Sequence, residues 1–171
     1  MKQSKYYTLR SILFFSLCIL GLGLMSCKSK EKVSNTEQTT ENKYQQDWVR
    51  LTRSGCFGTC PIYIVTIYGN GIVKYEGIRH TDKIGMFIGR MDPQKFDGII
   101  KKMKEVAFLE MEDMYQAPVS DMPGITVFLH FGDIEKQVME NGDAPRELKE
   151  FQKYLDDIVS EIEEWKEVMK K

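Results

Sequence analysis

Two short runs, Pro61 to Tyr68 (PIYIVTIY) and Ile72 to Gly77 (IVKYEG), commit this chain to antiparallel β structure. Both are rich in β-branched and aromatic residues, which suit a pleated, half-buried surface. They flank Gly69-Asn70-Gly71. An Asn-Gly pair adopts the positive φ angles of a type I′ turn at low cost, so the segment is expected to be a tight hairpin. Trp48 to Arg53 alternates as a preceding strand, and Ile84 to Met91 (IGMFIGRM) reads as a following one. In the latter, Gly85 and Gly89 mark a bulge or a close backbone approach. Ile125 to Phe131 and Ile134 to Glu140 flank Gly132-Asp133 as a second hairpin. Between them, Glu110 to Gly124 carries two prolines and several acids and reads as irregular.

Helical spacing appears twice. Asp92-Pro93 announces a helix, aspartate capping the first free amides and proline standing where no amide hydrogen is needed. Phe96, Ile99, Ile100, Met103 and Val106 then recur on one face. Asp143-Ala144-Pro145 starts a second helix by the same logic. Along it Leu148, Phe151, Leu155, Ile158, Ile162, Trp165 and Met169 follow a heptad seam, which predicts a helical tail over 158–171. That seam is expected to pack on the protein's own sheet, with helix pairing in a homodimer as the alternative. The fold class is therefore α+β: an antiparallel sheet of two hairpins plus flanking strands, with two amphipathic helices packed on one face.

Upstream of Asp47 the composition changes. Residues 28–46 (KSKEKVSNTEQTTENKYQQ) hold only Val33 and Tyr44 as sizeable apolar groups, too few to offset the entropy of ordering, and are expected to form a disordered tether. Stretched out, such a segment reaches about 60–70 Å. Before it, Lys2, Lys5 and Arg10 precede an apolar run from Ile12 to Leu24 that ends in Leu24-Met25-Ser26-Cys27. That run is shorter than the roughly 20 residues a membrane-spanning helix needs. The arrangement is a lipobox, predicting a signal peptide over 1–26 and a mature chain beginning at a lipidated Cys27. Lys28 after the cysteine, in place of aspartate, favours the outer membrane. The expected localisation is the cell envelope, with the membrane engaged through the N-terminal lipid and an envelope protein or ligand as partner. The folded part is 47–171.

Charge narrows the partners. Removing Lys2, Lys5 and Arg10 with the signal takes the formal net charge from −1 to −4, which gives no footprint for nucleic acid.

Of the four cysteines, Cys18 leaves with the signal and Cys27 takes the lipid, so Cys56 and Cys60 remain. Outside a reducing cytoplasm they are expected to pair as a structural disulfide, with Gly55 and Gly58 letting the loop turn. A sharper alternative exists. Cys-x-x-x-Cys-Pro resembles the motif of Sco-type copper chaperones, where two thiolates and a histidine hold the metal, and His80 or His130 is the candidate third ligand for Cu(I) or Zn(II). Against it, Pro61 leads into a strand, whereas in those proteins the motif opens a helix. Otherwise the two histidines read as exposed or satisfied side chains. Glu110, Glu112, Asp113 and Asp121 form an acidic neighbourhood suited to a cation such as calcium, though solvated loop acids are the commoner outcome. No nucleophile elbow, zincin motif or phosphate loop occurs, and neither an enzyme nor a cofactor is expected.

The stretch Arg53-x-x-Cys56-Phe57-Gly58-x-Cys60-Pro61-x-Tyr63, with Tyr68-Gly69-Asn70-Gly71 and Tyr75-x-Gly77 after it, resembles a family of domains of unknown function found in bacterial envelope lipoproteins. The resemblance extends over most of Trp48 to Ile158, taking in Asp121 and Gly142-x-x-Pro145. It implies a small extracytoplasmic α+β domain and brings no known activity, so it carries over no catalytic residue. The expected function is a lipid-tethered, non-catalytic binding or assembly module, with strand aromatics Tyr63, Tyr68 and Tyr75 as candidate contacts. The alternative is a thiol redox or copper- or zinc-handling protein using Cys56 and Cys60.

Overall fold

β1 (Trp48–Arg53) lies inside the sheet, paired antiparallel with β2 (Ile62–Tyr68) on one side and β6 (Ile125–Phe131) on the other. The computed structural model describes residues 43–118 and 122–168. The chain divides into two compact units, Met1–Gln38 and Thr39–Lys171; the first lies wholly outside the described residues, and the sheet and helices belong to the second. The expected signal peptide, the lipidation at Cys27, Asp121 and Met169 likewise fall outside the described residues.

The remaining strands are β3 (Ile72–Arg79), β4 (Gly85–Arg90), β5 (Met114–Gln116), β7 (Ile134–Asn141) and β8 (Trp165–Glu167). Their order across the sheet is β5-β7-β6-β1-β2-β3-β4-β8. Seven strands pair antiparallel, and β5 joins β7 in parallel, so the sheet is mixed and the fold is α+β. Helices α1 (Lys95–Glu105) and α2 (Arg146–Ser160) complete it, with a 3₁₀ turn at Phe108–Glu110.

Strand alternation decides what is buried. Val49 and Leu51 of β1 stand opposite Ile67 and Val65 of β2 and opposite Leu129 and Val127 of β6, and all six are buried. Val73 and Val138 extend that layer outward. The same core receives Phe96, Ile99 and Met103 from α1 and Leu148, Phe151 and Leu155 from α2. Each such side chain contributes about 1.5–3 kcal/mol by leaving water.

The turn between β2 and β3 differs from the expected type I′. Ile67 pairs with Val73, Gly71 N donates to the Tyr68 carbonyl at 2.9 Å, and Gly71 has φ 84° while Asn70 stays at negative φ. This is a three-residue loop in which a type I turn is closed by a left-handed glycine. Asn70 Oδ1 accepts from Ile72 N at 3.1 Å, which holds the negative φ in place. In the β6–β7 turn Gly132 takes φ 58°, and its amide donates to Asp47 Oδ1 at 2.8 Å.

Neither helix start carries the expected aspartate cap. Asp92 Oδ1 accepts from Gln94 N at 2.9 Å in the turn before α1, whose cap residue is Gln94, with no side-chain cap bond. Asp143 does not cap: α2 begins after Pro145 with no side-chain cap bond.

Two boundaries move. Tyr44, read as tether, is 5% exposed, packs its ring 5.1 Å from that of Phe96 and donates to Asp97 Oδ1 at 2.6 Å. The packed unit thus starts before the expected Asp47. At the other end the expected helical tail over 158–171 is interrupted among the described residues: α2 stops at Ser160 and Trp165–Glu167 pair with β4. The seam residues Leu148, Phe151, Leu155, Ile158 and Ile162 are buried in the protein's own core. Trp165 lies over Gly89, where a Cβ would meet its ring at 3.1 Å, so Gly89 marks a close approach.

Candidate functional site

Residues 54–61 connect β1 to β2, and the last register pair before the loop is Arg53 opposite Tyr63. Inside it the sulfurs of Cys56 and Cys60 are at disulfide-bonding distance, with Cα atoms 5.6 Å apart. Gly58 N donates to the Cys56 carbonyl at 2.8 Å and tightens the turn. Ser54 ties the loop base to the neighbouring strand connection: its amide donates to the Gly124 carbonyl at 2.8 Å, and its hydroxyl oxygen accepts from Gly124 N at 2.8 Å. At the tip Phe57 is 96% exposed. A phenyl ring held in water at a loop tip has no role in the core.

Beneath the loop a small polar cluster joins sheet to helix. Arg53 Nε donates to Tyr63 Oη at 2.7 Å, Tyr63 Oη donates to Asp156 Oδ1 at 2.6 Å, and the Arg53 guanidinium pairs with Asp156 Oδ2. Burial, then the bonded Asp156 carboxylate, pushes the Tyr63 phenol well above its ordinary range, since ionisation would set two anions side by side. Burial works against the Arg53 charge, but Asp156 and the Tyr63 oxygen outweigh it and raise its pKa. The Tyr63 ring also stacks on Tyr75, with centroids 5.4 Å apart. Arg53 and Tyr63, at the two ends of the sequence motif, therefore brace the loop; Asp156, 93 residues beyond Tyr63, completes the brace.

His80 borders the same loop. Its Nδ1 lies 3.3 Å from the Cys60 carbonyl oxygen, and its backbone takes φ 56°, a left-handed conformation uncommon outside glycine. An open cleft of about 350 Å³ runs alongside, lined by Pro61, Tyr63, Tyr75, His80, Lys83 and Trp165 among others. A larger cleft, of about 1070 Å³, follows the β4–β8 edge past Arg90, Ile158 and Trp165, away from the loop.

The expected metal set is split. His80 stands beside Cys60, but His130 pairs with Trp48 at the other end of β1, stacks on its ring with centroids 5.7 Å apart, and meets Glu135 Oε1 at 3.3 Å. The Cys56 and Cys60 sulfurs lie at bonding distance from each other. Among the described residues no group of three or more His, Cys, Asp or Glu side chains is placed to hold a metal ion. In the acidic stretch, Asp113 is bound to Lys136 Nζ at 2.6 Å. Of the strand aromatics, Tyr63 and Tyr75 pack against the core, whereas Tyr68 lies beneath Lys74 Nζ, 5.0 Å from its ring centroid.

Sequence reasoning missed Asp156, because nothing in KYLDDIVS distinguishes it from its solvent-exposed neighbour Asp157, which meets Lys153 at 2.7 Å. The profile of the family described as Domain of unknown function (DUF6438) matches residues 47–159. Among curated proteins no relative matches.

Proposed function

The chain belongs to the family Domain of unknown function (DUF6438), which assigns no activity, and from that premise we propose a lipid-anchored, non-catalytic binding module of the cell envelope. The observation that carries the reading is Phe57, 96% exposed at the tip of a loop closed by Cys56 and Cys60. Exposed aromatics on rigid supports are favoured contact residues, because little side-chain entropy is lost when they are covered. The Arg53–Tyr63–Asp156 brace and the disulfide supply that rigidity.

The anchor reading rests on the lipobox ending at Cys27, and the helices serve as cover for the sheet's apolar side. Entry of the tether and the binding loop lie at opposite ends of β1. Asp47 holds the turns at one end, through its carbonyl accepting from Gly69 N at 2.8 Å and its carboxylate accepting from Gly132 N. Phe57 follows the other end, about 20 Å away along a six-residue strand. A module tethered at one end and armed at the other keeps its binding loop clear of the anchor.

Palmitate labelling of expressing cells tests the anchor. Labelled, membrane-bound wild type with an unlabelled Cys27→Ala variant is the expected result. Unlabelled wild type in the soluble fraction would contradict it.

A further inference from the structure

The register that buries Val49, Leu51, Ile67, Val73 and Leu129 places their strand neighbours Trp48, Arg50, Tyr68, Lys74, Phe128 and His130 on the opposite face of the sheet. Contacts along that face agree: Arg50 Nε donates to Thr66 Oγ1 at 3.1 Å, its guanidinium lies 4.8 Å from the Trp48 ring centroid, and Trp48 stacks on Phe128 with centroids 5.0 Å apart. Toward the β8 edge, Lys74 is opposite Ile88, Ile88 opposite Lys166, and Glu76 opposite Met86. Just past these register pairs, Val168 N donates to the Met86 carbonyl at 2.8 Å, and Ile78 and Ile84 flank the Gly77–Gly85 pair in sequence. Ile78, Ile84 and Val168 are unusually open to solvent, at 49%, 57% and 37% exposed, with Ile88, on the open face itself, at 36%. Several aliphatic side chains exposed around one edge of a sheet mark a contact surface.

Charge identifies what it contacts. On this face Arg50, Lys74, Arg90 and Lys166 stand against Glu76 and Glu135, although the chain as a whole has a formal net charge of −1. α2 and the segment just after it carry Glu147, Glu150, Asp156, Asp157, Glu161, Glu163 and Glu164 against Arg146, Lys149 and Lys153. A surface combining Trp and Tyr rings, aliphatic side chains and long cationic ones suits the boundary between headgroups and acyl chains, where the cations reach the phosphates. A second copy of the chain would bring the same cations against these.

We propose that this open face of the sheet docks on anionic lipid headgroups. The inference rests on the tethered reading, which keeps a lipid surface within reach. Docking lays the sheet against the bilayer, turns the acids of α2 toward the aqueous space, and leaves Phe57 at the rim for its partner.

The test uses the full lipidated chain carrying a polarity-sensitive dye at Ile88→Cys, between Lys74 and Lys166, and a second preparation with the dye at Glu147→Cys. Each is titrated with vesicles of phosphatidylcholine, alone or mixed equally with phosphatidylglycerol. A blue shift at position 88 but not 147, on the anionic vesicles only, is expected. The Lys74→Glu/Lys166→Glu variant raises the lipid concentration for half-maximal shift on the order of 30-fold or more. No shift at 88 on anionic vesicles, equal shifts at both positions, or a shift at 88 produced by raising protein concentration without vesicles would each overturn the proposal; the last would assign the face to a second copy. Flotation with pure phosphatidylcholine reports the tether separately. A chain that fails to float there, yet gives the shift on anionic vesicles, sinks the anchor and keeps the docking face.

Discussion

Arg53 and Tyr63 stand directly opposite each other across β1 and β2, and the guanidinium Nε donates to the phenol oxygen at 2.7 Å. Ten residues apart in sequence, they close the base of the loop that carries Cys56, Phe57 and Cys60. Asp156 bonds to both and fixes α2 to the same point. Asp156→Ala leaves Arg53 partly buried without its carboxylate and is expected to destabilise the fold by about 2 kcal/mol, with Asp156→Asn costing less. Denaturant unfolding of the two variants measures both.

Tyr63 also sets an alkaline limit. Its phenol is held above the ordinary value of 10.0, so above pH 10 the unfolded chain releases a proton that the folded chain keeps. The unfolded state then binds fewer protons, and stability falls as pH rises. Thermal melts from about pH 8 to about 11.5 are expected to show this loss in the wild type and a shallower one in Tyr63→Phe. Tyr44, whose pKa burial and Asp97 also raise, leaves part of the slope in place. Equal slopes in the two proteins would contradict the assignment.

Phe57→Ala is expected to leave stability within about 0.5 kcal/mol of wild type, since the ring touches little of the fold. Capture of the partner, read by photo-crosslinking from a neighbouring loop position such as Thr59, should fall. A Phe57→Ala protein that melts several degrees lower would place the ring in the fold instead.

Gly69→Ala tests the early start of the packed unit. A Cβ at Gly69 falls inside the van der Waals envelope of the Tyr44 carbonyl and Cβ. The substitution should displace Tyr44 from Phe96 and cost about 1–3 kcal/mol, the range for overpacking. A neutral result would mean that residues before Asp47 add nothing to stability.

These residues also show what the sequence made legible. Trp48–Arg53 and both strand pairs could be read because one side of each strand is buried and a period of two results. The motif drew attention to Arg53, Cys56, Cys60 and Tyr63 together, but their shared partner Asp156 lies on a distant helix and has no local mark. β5 is three residues long and is held by parallel pairing of Met114 with Met139, a tertiary effect without periodicity. Trp165 continued a heptad, yet pairing with Gly89 outweighs helix propensity there, so the seam breaks into β8. Asn70-Gly71 announced a turn correctly but not its type, because Gly69 before the pair allows a three-residue loop.

The central claim is a covalent one, that Cys56 and Cys60 hold the Phe57 loop as a disulfide, and the most direct measurement is intact mass after alkylation of the native protein isolated from expressing cells without reductant. No alkyl group at either position, and two only after reduction, is the predicted result. Two alkyl groups on the unreduced protein would show free thiols and contradict it.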